Sequence, residues 1–262
     1  MNLCGVNIDD GRTHVIAELS NNANGKLENA LRLIAAAKDA GASFVKTQCY
    51  SADELVALRG DGPAPAQWGE AGWSMHALYS KAMTPREWFA PMFAFARVLG
   101  IPMFASVFGL ESLAMMEALG SPMHKIARLD NHHADLITAC KATGKPVIVS
   151  ACADSNPHYY SRGSEKSVGL YCPPGYPQET FALSHDRFTS TDESWDDPYH
   201  GFSYHGTSIE PCVMAATLGA KLLEVHVQLD DEPSELEANV SLTCTQLAEL
   251  VTRTRDVERW RG

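Results

Sequence analysis

Short apolar segments alternate with longer amphipathic segments along this chain. Eight of the short segments are rich in β-branched residues, which predicts strands. They span residues 14–20, 43–50, 102–108, 123–129, 146–152, 167–173, 200–205 and 222–229. Helical spacing of apolar residues, ended in most cases by Gly, predicts helices over residues 27–40, 84–99, 110–119, 134–143, 208–218 and 245–260.

The alternation predicts a parallel sheet covered by helices, and eight strands favour a closed (β/α)8 TIM barrel. The chain has 262 residues, a length that suits one such barrel as a single domain over residues 1–262. An open doubly wound sheet is the alternative, although the glycine-rich phosphate motifs of its nucleotide-binding versions are absent. Residues 153–166 have no helical period, so the helix after the fifth strand is expected to be shortened or missing.

Composition and charge narrow the function classes. The chain carries a net charge of −11 with 45% apolar residues, which argues for a globular protein and against nucleic acid or an anionic membrane as main partner. An anionic small-molecule substrate would need a local basic pocket or a metal ion. The sequence has no apolar run of the roughly 20 residues that span a bilayer and no signal-peptide pattern, and its seven cysteines are scattered. We therefore expect a cytoplasmic protein with reduced thiols.

Polar residues at or beyond the carboxyl ends of the predicted strands are the first candidates for chemistry, because a parallel barrel places its active site there. They are Glu18, Lys46, Gln48, Ser106, Lys125, Arg128, Ser150, Tyr176, Ser203, His205, Glu224 and His226. Two long connections, residues 51–83 and 174–199, follow strands at the same end, where long ordered loops are usually functional.

Two histidines of this set fall on the last two predicted strands. His205 ends the seventh and His226 lies in the eighth, so neighbouring strands would bring both rings to one ion. Each is equally explained as a half-buried histidine bonded to a main-chain carbonyl, because ligands on separate strands have no diagnostic spacing.

Two lysines of the set lie inside apolar strands, where an unpaired ammonium is costly. Lys46 and Lys125 would serve as ligands of an anion, as Schiff-base nucleophiles, or as ion-pair partners of Glu18 or Glu224. Arg128, three residues after Lys125, favours a shared anion site. Glu18, if buried beside a metal or a lysine, would suit a general base.

The segment IAELSNNANGKLENALRLIAAAKDAGASFVKTQ resembles the opening of the sialic acid synthase family, which comprises N-acetylneuraminate synthases and their legionaminic and pseudaminic acid relatives. Similar segments follow in order: LYSKAMTPREWF, GIPMFASVF, KIARLDN, GKPVIVSACA, LYCPPGYP, GFSYHG, GAKLLEVHVQLD and SLTCTQLAEL. The resemblance implies a (β/α)8 barrel that condenses phosphoenolpyruvate (PEP) with an N-acylated aminosugar aldehyde. The products of that reaction are a 2-keto-3-deoxy sugar acid and phosphate.

The resemblance also implies roles for individual residues. It assigns a divalent ion, Mn or Mg, to His205 and His226, and catalysis to Glu18, Glu224 and His205. The residues predicted to bind PEP are Lys46, Gln48, Ser106, Lys125, Arg128, Ser150, Tyr176 and Ser203. Glu237 is predicted to contact the acceptor, and small molecules are the expected partners, with a homodimer as a further possibility.

Five positions depart from the family pattern. Tyr204 and Ala23 replace an acidic residue and a histidine, and Arg128 replaces a serine. In the late segment EPSELEANVSL, Glu237 stands for an aspartate and Ala238 for a histidine. We therefore expect the residues that bind PEP to match the family pattern more closely than those that bind the acceptor.

Many family members carry a C-terminal antifreeze-like domain, whose arginine reaches the acceptor's acyl group, whereas this chain ends after the last predicted barrel helix. We therefore expect the acceptor to contact the chain's own loops or another subunit, and to be an aldose derivative other than free N-acetylmannosamine. The candidate aromatic residues are Trp68, Trp73 and Tyr79 in 51–83, and His158, Tyr159 and Tyr160 in 154–166. Either loop would equally suit a dimer contact.

Two other functions remain open on the sequence. One is a Schiff-base aldolase that uses Lys125 or Lys46 on the same barrel. The other is a non-catalytic paralogue that binds a sugar acid or pairs with an active subunit, since a fold does not guarantee a function.

Overall fold

The computed structural model describes residues 1–65, 68, 72–152, 166–189 and 199–261. It begins with a hairpin of two short antiparallel strands, β1 (Asn2–Leu3) and β2 (Val6–Asn7). Leu3 and Ile8 of this segment are fully buried against apolar side chains of the barrel interior, among them Phe44 and Leu222 near the starts of their strands. The hairpin therefore closes the amino-terminal end of the barrel.

Eight parallel strands form the barrel. They are β3 (His14–Glu18), β4 (Phe44–Cys49), β5 (Met103–Val107), β6 (His124–Ile126), β7 (Val147–Ala151), β8 (Ser167–Tyr171), β9 (Gly201–Tyr204) and β10 (Leu222–Gln228). Each strand pairs with the next in chain order, and β10 pairs with both β9 and β3, which closes the sheet. The predicted (β/α)8 barrel is confirmed, and every predicted strand is present.

Nine α-helices occur in the described residues. They are α1 (Leu27–Asp39), α2 (Ala52–Arg59), α3 (Met75–Ala82), α4 (Arg86–Leu99), α5 (Leu110–Ala118), α6 (Ala134–Ala142), α7 (Asp186–Thr189), α8 (Glu210–Thr217) and α9 (Cys244–Arg261). Six of these match the predicted helices, and α2, α3 and α7 lie in connections that we predicted as loops. Within the described part of the chain, no helix is both long and apolar enough to cross a bilayer.

Two further differences from the sequence prediction concern the carboxyl end of the barrel. The fourth barrel strand ends at Ile126, because residues Arg128–Asp130 turn into a 3-10 helix. A short strand, β11 (Ser241–Thr243), extends the sheet beside the end of β10. The prediction of a shortened helix over 153–166 falls outside the described residues except at Lys166, as do His158, Tyr159 and Tyr160.

Candidate active site

On five of the strands, the side chains that face the barrel interior change from apolar to polar within two residues. Ile16, Phe44, Phe104, Ile148 and Leu222 are fully buried in the apolar layer beside the N-terminal hairpin. Because side chains alternate along a strand, the residues two positions later face the same interior. Those residues are Glu18, Lys46, Ser106, Ser150 and Glu224. The strand period therefore places one charged and polar layer directly above the apolar one.

Above this layer lies a cavity of about 520 Å³ at the carboxyl ends of the strands. All of the predicted site residues except Glu18 line it: Lys46, Gln48, Ser106, Lys125, Arg128, Ser150, Tyr176, Ser203, His205, Glu224, His226 and Glu237. Glu18 is completely buried and does not line the cavity. It forms an ion pair with Lys46, which does line the cavity, and the catalytic role of Glu18 stays a prediction.

Lys46 links the two carboxylates of the polar layer. Its ammonium forms an ion pair with Glu18, the residue beside it in the register of β3 and β4, and donates to the Ser106 hydroxyl at 2.9 Å. It also lies 3.8 Å from Glu224 Oε1. Burial works against a charge on Lys46, but Glu18 and Glu224 outweigh it and raise the Lys46 pKa. Lys46 is therefore a fixed cation.

Lys125 reaches Glu224 from the opposite side of the barrel. Its ammonium donates to Ser150 Oγ at 2.7 Å and lies 3.4 Å from Glu224 Oε1, which also accepts from Ser203 at 3.0 Å. Burial lowers the Lys125 pKa, and the positive charge of Lys46 adds to that shift, although Glu224 opposes it. The two lysines therefore share one carboxylate oxygen but have pKa values shifted in opposite directions.

Glu224 is held as a carboxylate. Burial favours its neutral form, but Lys125 and Lys46 outweigh burial and lower its pKa to about 2. Its Oε2 is buried and has no hydrogen-bond partner in the described structure. A buried carboxylate oxygen without a partner is costly, so a ligand or water that donates to it is expected.

The two predicted metal-ligand histidines lie together at the cavity wall. The ring centroids of His205 and His226 are 4.9 Å apart. His226 Nδ1 faces Glu237 Oε2 at 3.2 Å, and the Tyr176 hydroxyl donates to the other oxygen of Glu237. No group of three or more His, Cys, Asp or Glu side chains within the described residues could hold a metal ion by itself.

The environments of the two rings shift their pKa values in opposite directions. Burial and the neighbouring His226 lower the pKa of His205 well below its usual value. Burial also disfavours charge on His226, but Glu237 outweighs it and raises the His226 pKa. Burial disfavours the Glu237 carboxylate in turn, yet His226 lowers its pKa from 4.5 to about 2. Glu237 therefore favours the protonated form of His226, whereas the surroundings of His205 favour its neutral form.

Arg128 is half-buried in the 3-10 turn after β6 and lines the cavity. The prediction that it follows Lys125 along a strand is wrong, because the strand ends two residues before it. Gln48 donates to the Ser20 hydroxyl at 3.0 Å, and Ser20 N donates to Glu18 Oε1 at 2.8 Å.

Three of the five positions that depart from the family pattern lie outside the cavity, whereas Arg128 and Glu237 line it. Tyr204 is one residue from Ser203, so it points to the opposite side of the strand, where it packs against Phe181. Ala23 packs against the hydrophobic core around the barrel, and Ala238 begins a 3-10 helix. None of the three lines the cavity.

Among the residues that sequence reasoning missed are Gln178, beside the cavity, and Arg59, in its wall. Gln178, 4% exposed, contacts His205, and no pattern in the sequence connects these two positions. Arg59 at the end of α2 lines the cavity, donates to Asp130 Oδ2 at 2.5 Å and lies 5.5 Å above the Phe108 ring. Its position depends on a helix that the sequence did not predict.

Acid should destabilise the folded protein through Glu237. Because its folded pKa of about 2 is below 4.5, the unfolded chain binds a proton first as pH falls. The stabilisation of the folded state by ionised Glu237 is present above pH 4.5 and is lost as the pH falls to about 2. Between pH 7 and pH 3, the unfolding free energy of the wild type should fall by roughly 2 kcal/mol more than that of Glu237→Gln. Urea unfolding at both pH values tests this, and an equal fall in both proteins would contradict the assignment.

Comparisons with known proteins connect this chain to one family. Residues 33–262 match the NeuB family. The pseudaminic acid synthase of Campylobacter jejuni is 29% identical over 260 residues, which cover 95% of this chain and 75% of that protein. The pseudaminic acid synthase of Helicobacter pylori is 30% identical over 226 residues, which cover 82% of this chain and 66% of that protein.

Solved structures share the fold. The crystal structure of N-acetylneuraminic acid synthetase from Leptospira borgpetersenii has a TM-score of 0.80 to this chain at 24% identity, over 96% of this chain and 85% of that one. The spore coat polysaccharide biosynthesis protein spsE of Bacillus subtilis has a TM-score of 0.75 at 25% identity, over 95% of this chain and 69% of that one.

Proposed function

This chain belongs to the NeuB family, and on that premise we propose that it is a PEP-dependent condensing synthase. It joins PEP to an aldose or an N-acyl aminosugar aldehyde and releases a 2-keto-3-deoxy sugar acid and phosphate. The observation that carries this proposal is the polar layer of two buried lysines, two carboxylates and three serines beneath an open cavity. Pseudaminic and N-acetylneuraminate-9-phosphate synthases are among its relatives.

PEP binds to the lysine side of this layer. Its phosphate and carboxylate carry about three negative charges, which charge-assisted hydrogen bonds from Lys125, Lys46 and Arg128 would balance. The lysines already face Glu18 and Glu224, so the layer is neutral in sum and Arg128 supplies the additional positive charge. The hydroxyls of Ser106, Ser150 and Ser203 orient the anion.

The reaction joins C3 of PEP to the aldehyde carbon and leaves a positive, oxocarbenium-like centre at C2. Water adds at C2, one of its protons goes to the new alkoxide and the other leaves with the phosphate, whose C–O bond breaks. A carboxylate with a pKa of about 2 is a weak base, so Glu224 acts chiefly by its negative charge on the C2 centre. Its unpartnered Oε2 positions the water.

NeuB-family synthases are generally metal-dependent. The histidine pair fits this requirement, because Glu237 faces His226 Nδ1, so that Nε2, once it has lost its proton, would be the ligand atom. We propose that Mn or Mg would be held by His205 and His226, with water and substrate completing the coordination. When bound, such an ion supplies a Lewis acid that polarises the acceptor carbonyl.

Phosphate release tests the proposed reaction. The protein is incubated with PEP and a panel of N-acylated hexosamines and other aldoses, with and without Mn²⁺, and phosphate is measured. We expect release that requires PEP and an acceptor together and rises with Mn²⁺. No release with any acceptor would favour the non-catalytic paralogue.

The outer half of the cavity is assigned to the acceptor. Trp68 and Tyr79 of the 51–83 connection line it, and the Trp68 ring lies 5.0 Å from that of Tyr176. Trp73 does not line it, which makes this residue a matched control.

Replacing Trp68 with Ala is expected to raise the acceptor KM about tenfold, because a ring contact of this kind contributes roughly 1 to 1.5 kcal/mol. The PEP KM should change less than twofold. Steady-state kinetics of Trp68→Ala and Trp73→Ala measure both constants, and equal effects of the two substitutions would refute the assignment.

A Schiff-base aldolase is the second candidate, and the lowered pKa of Lys125 is the observation that favours it. Treatment with pyruvate and borohydride distinguishes the two reactions. We expect no mass increase on Lys125 or Lys46, whereas a reduced pyruvyl adduct on either lysine would support the aldolase.

We also propose a cytoplasmic location and small molecules as partners. All seven cysteines are free thiols, which supports a reducing compartment. A homodimer stays a prediction.

A further inference from the structure

The Gln178 side chain makes hydrogen-bond contacts with two main-chain groups and with the His205 ring. Its Oε1 accepts from the His205 backbone N–H at 3.0 Å, and its Nε2 donates to the Pro173 carbonyl at 2.7 Å. The same Nε2 lies 3.1 Å from His205 Nδ1. The backbone of Gln178 donates to the His205 carbonyl at 2.8 Å, which fixes the two residues together.

These partners determine which end of the amide faces the ring. A backbone N–H only donates and a carbonyl only accepts, so a rotated amide would set Oε1 against the Pro173 carbonyl and the NH₂ group against a backbone N–H. In the observed orientation, the second hydrogen of Nε2 has His205 Nδ1 at 3.1 Å and Cys172 Sγ at 3.8 Å as acceptors, and an NH₂ group offers no acceptor to an Nδ1–H. A neutral imidazole whose Nδ1 accepts a hydrogen bond carries its own proton on Nε2.

We propose that Gln178 is a positioning residue that holds His205 in the Nε2–H tautomer in the metal-free protein and so weakens divalent-ion binding at that ring. This inference rests on the metal site of the proposed function. His205 lines the cavity and Gln178 does not, so the ring edge away from Gln178 is the one available to a ligand. Coordination through Nε2 requires that the proton move to Nδ1, where the Gln178 amide offers a hydrogen and no acceptor.

His226 provides the internal contrast. Its Nδ1 faces the Glu237 carboxylate, an acceptor, so when the ring holds one proton that proton stays on Nδ1 and Nε2 is available for coordination. The Nδ1 atom of His205 thus faces a donor, the Gln178 amide, whereas the Nδ1 atom of His226 faces an acceptor, the Glu237 carboxylate.

The first experiment determines the tautomer directly. Two-bond ¹⁵N–¹H correlation spectra of the metal-free protein, labelled with ¹⁵N-histidine, distinguish Nδ1–H from Nε2–H, and His205→Gln assigns the signal. We expect the Nε2–H pattern for His205 at neutral pH, and an Nδ1–H pattern would overturn the proposal. The spectrum needs neither PEP nor turnover, so its result is independent of whether the proposed reaction occurs.

The second experiment measures Mn²⁺ affinity by calorimetry in the wild type, Gln178→Glu, Gln178→Leu and Gln246→Leu. Glutamate offers an acceptor to an Nδ1–H ring, and leucine removes the competing donor without adding charge. We expect about tenfold tighter binding with glutamate, a gain of at least threefold with leucine, and no change at Gln246, whose amide bonds backbone groups outside the cavity. Tighter binding with glutamate alone would show an effect of charge and would overturn the tautomer role.

Discussion

Replacing Lys125 with Met is expected to weaken PEP binding about 100-fold. The ammonium is 2% exposed and donates to Ser150, and its removal deletes a buried cation from the site that accepts an anion. Loss of one partner of a buried, charged hydrogen bond costs roughly 2 to 5 kcal/mol, and 100-fold corresponds to about 3 kcal/mol. Titration calorimetry with PEP measures the change, and unchanged affinity would show that PEP does not contact Lys125.

A surface lysine supplies the control for that measurement. Lys38 in α1 lies outside the cavity and donates only to the Gly100 carbonyl among its described contacts. Lys38→Met should bind PEP as the wild type does. Urea unfolding of Lys125→Met at neutral pH separates a binding defect from loss of the fold.

Replacing Glu224 with Gln is expected to lower kcat about 1000-fold while PEP binding stays within a few-fold of the wild type. The substitution removes the negative charge that faces the C2 centre, and electrostatic contributions of this kind are typically worth about 100- to 1000-fold in rate. PEP binding is spared because the lost charge is negative and lies beside an anion site. Lys125 and Ser203 lose an ionic partner but keep a hydrogen-bond acceptor.

A large loss of kcat with little change in PEP affinity distinguishes a catalytic role of Glu224 from a role in PEP binding. Single-turnover phosphate release gives the rate, and calorimetry gives the PEP affinity. Glu28→Gln, in the first turn of α1, changes the same group outside the cavity and should leave both constants unaltered. A kcat within tenfold of the wild type would remove Glu224 from the chemistry.

Much of the barrel and of its polar layer could be predicted from periodicity. The strand period of two places Glu18, Lys46, Ser106 and Glu224 on the inner face once the eight strands are identified. The ion pair of Lys46 with Glu18 follows from adjacent register. The contact of Lys125 with Glu224 spans 99 residues and the width of the barrel, so it depends on closure and stagger that no local pattern encodes.

Elements that owe their form to capping and long-range contacts escaped prediction. The helices α2 and α3 have eight residues each and bury few side chains. They are capped at their N-termini by Ser51 and Ser74, whose hydroxyls accept backbone N–H groups. Such short helices do not show the apolar periodicity of a longer amphipathic helix. Their polar and glycine-rich surroundings therefore led to the prediction of loops. Gln178 acquires its role only through tertiary contact with His205.

Condensation through C3 of PEP requires that phosphate leave by cleavage of the C–O bond. PEP labelled with ¹⁸O in the bridging oxygen, incubated with an acceptor from the panel and Mn²⁺, reports which bond breaks when the products are weighed by mass spectrometry. We expect the label in phosphate, none in the keto acid, and no release by Lys125→Met at PEP concentrations that saturate only the wild type. Unlabelled phosphate, or release that does not need the acceptor, would contradict a PEP-dependent condensing synthase.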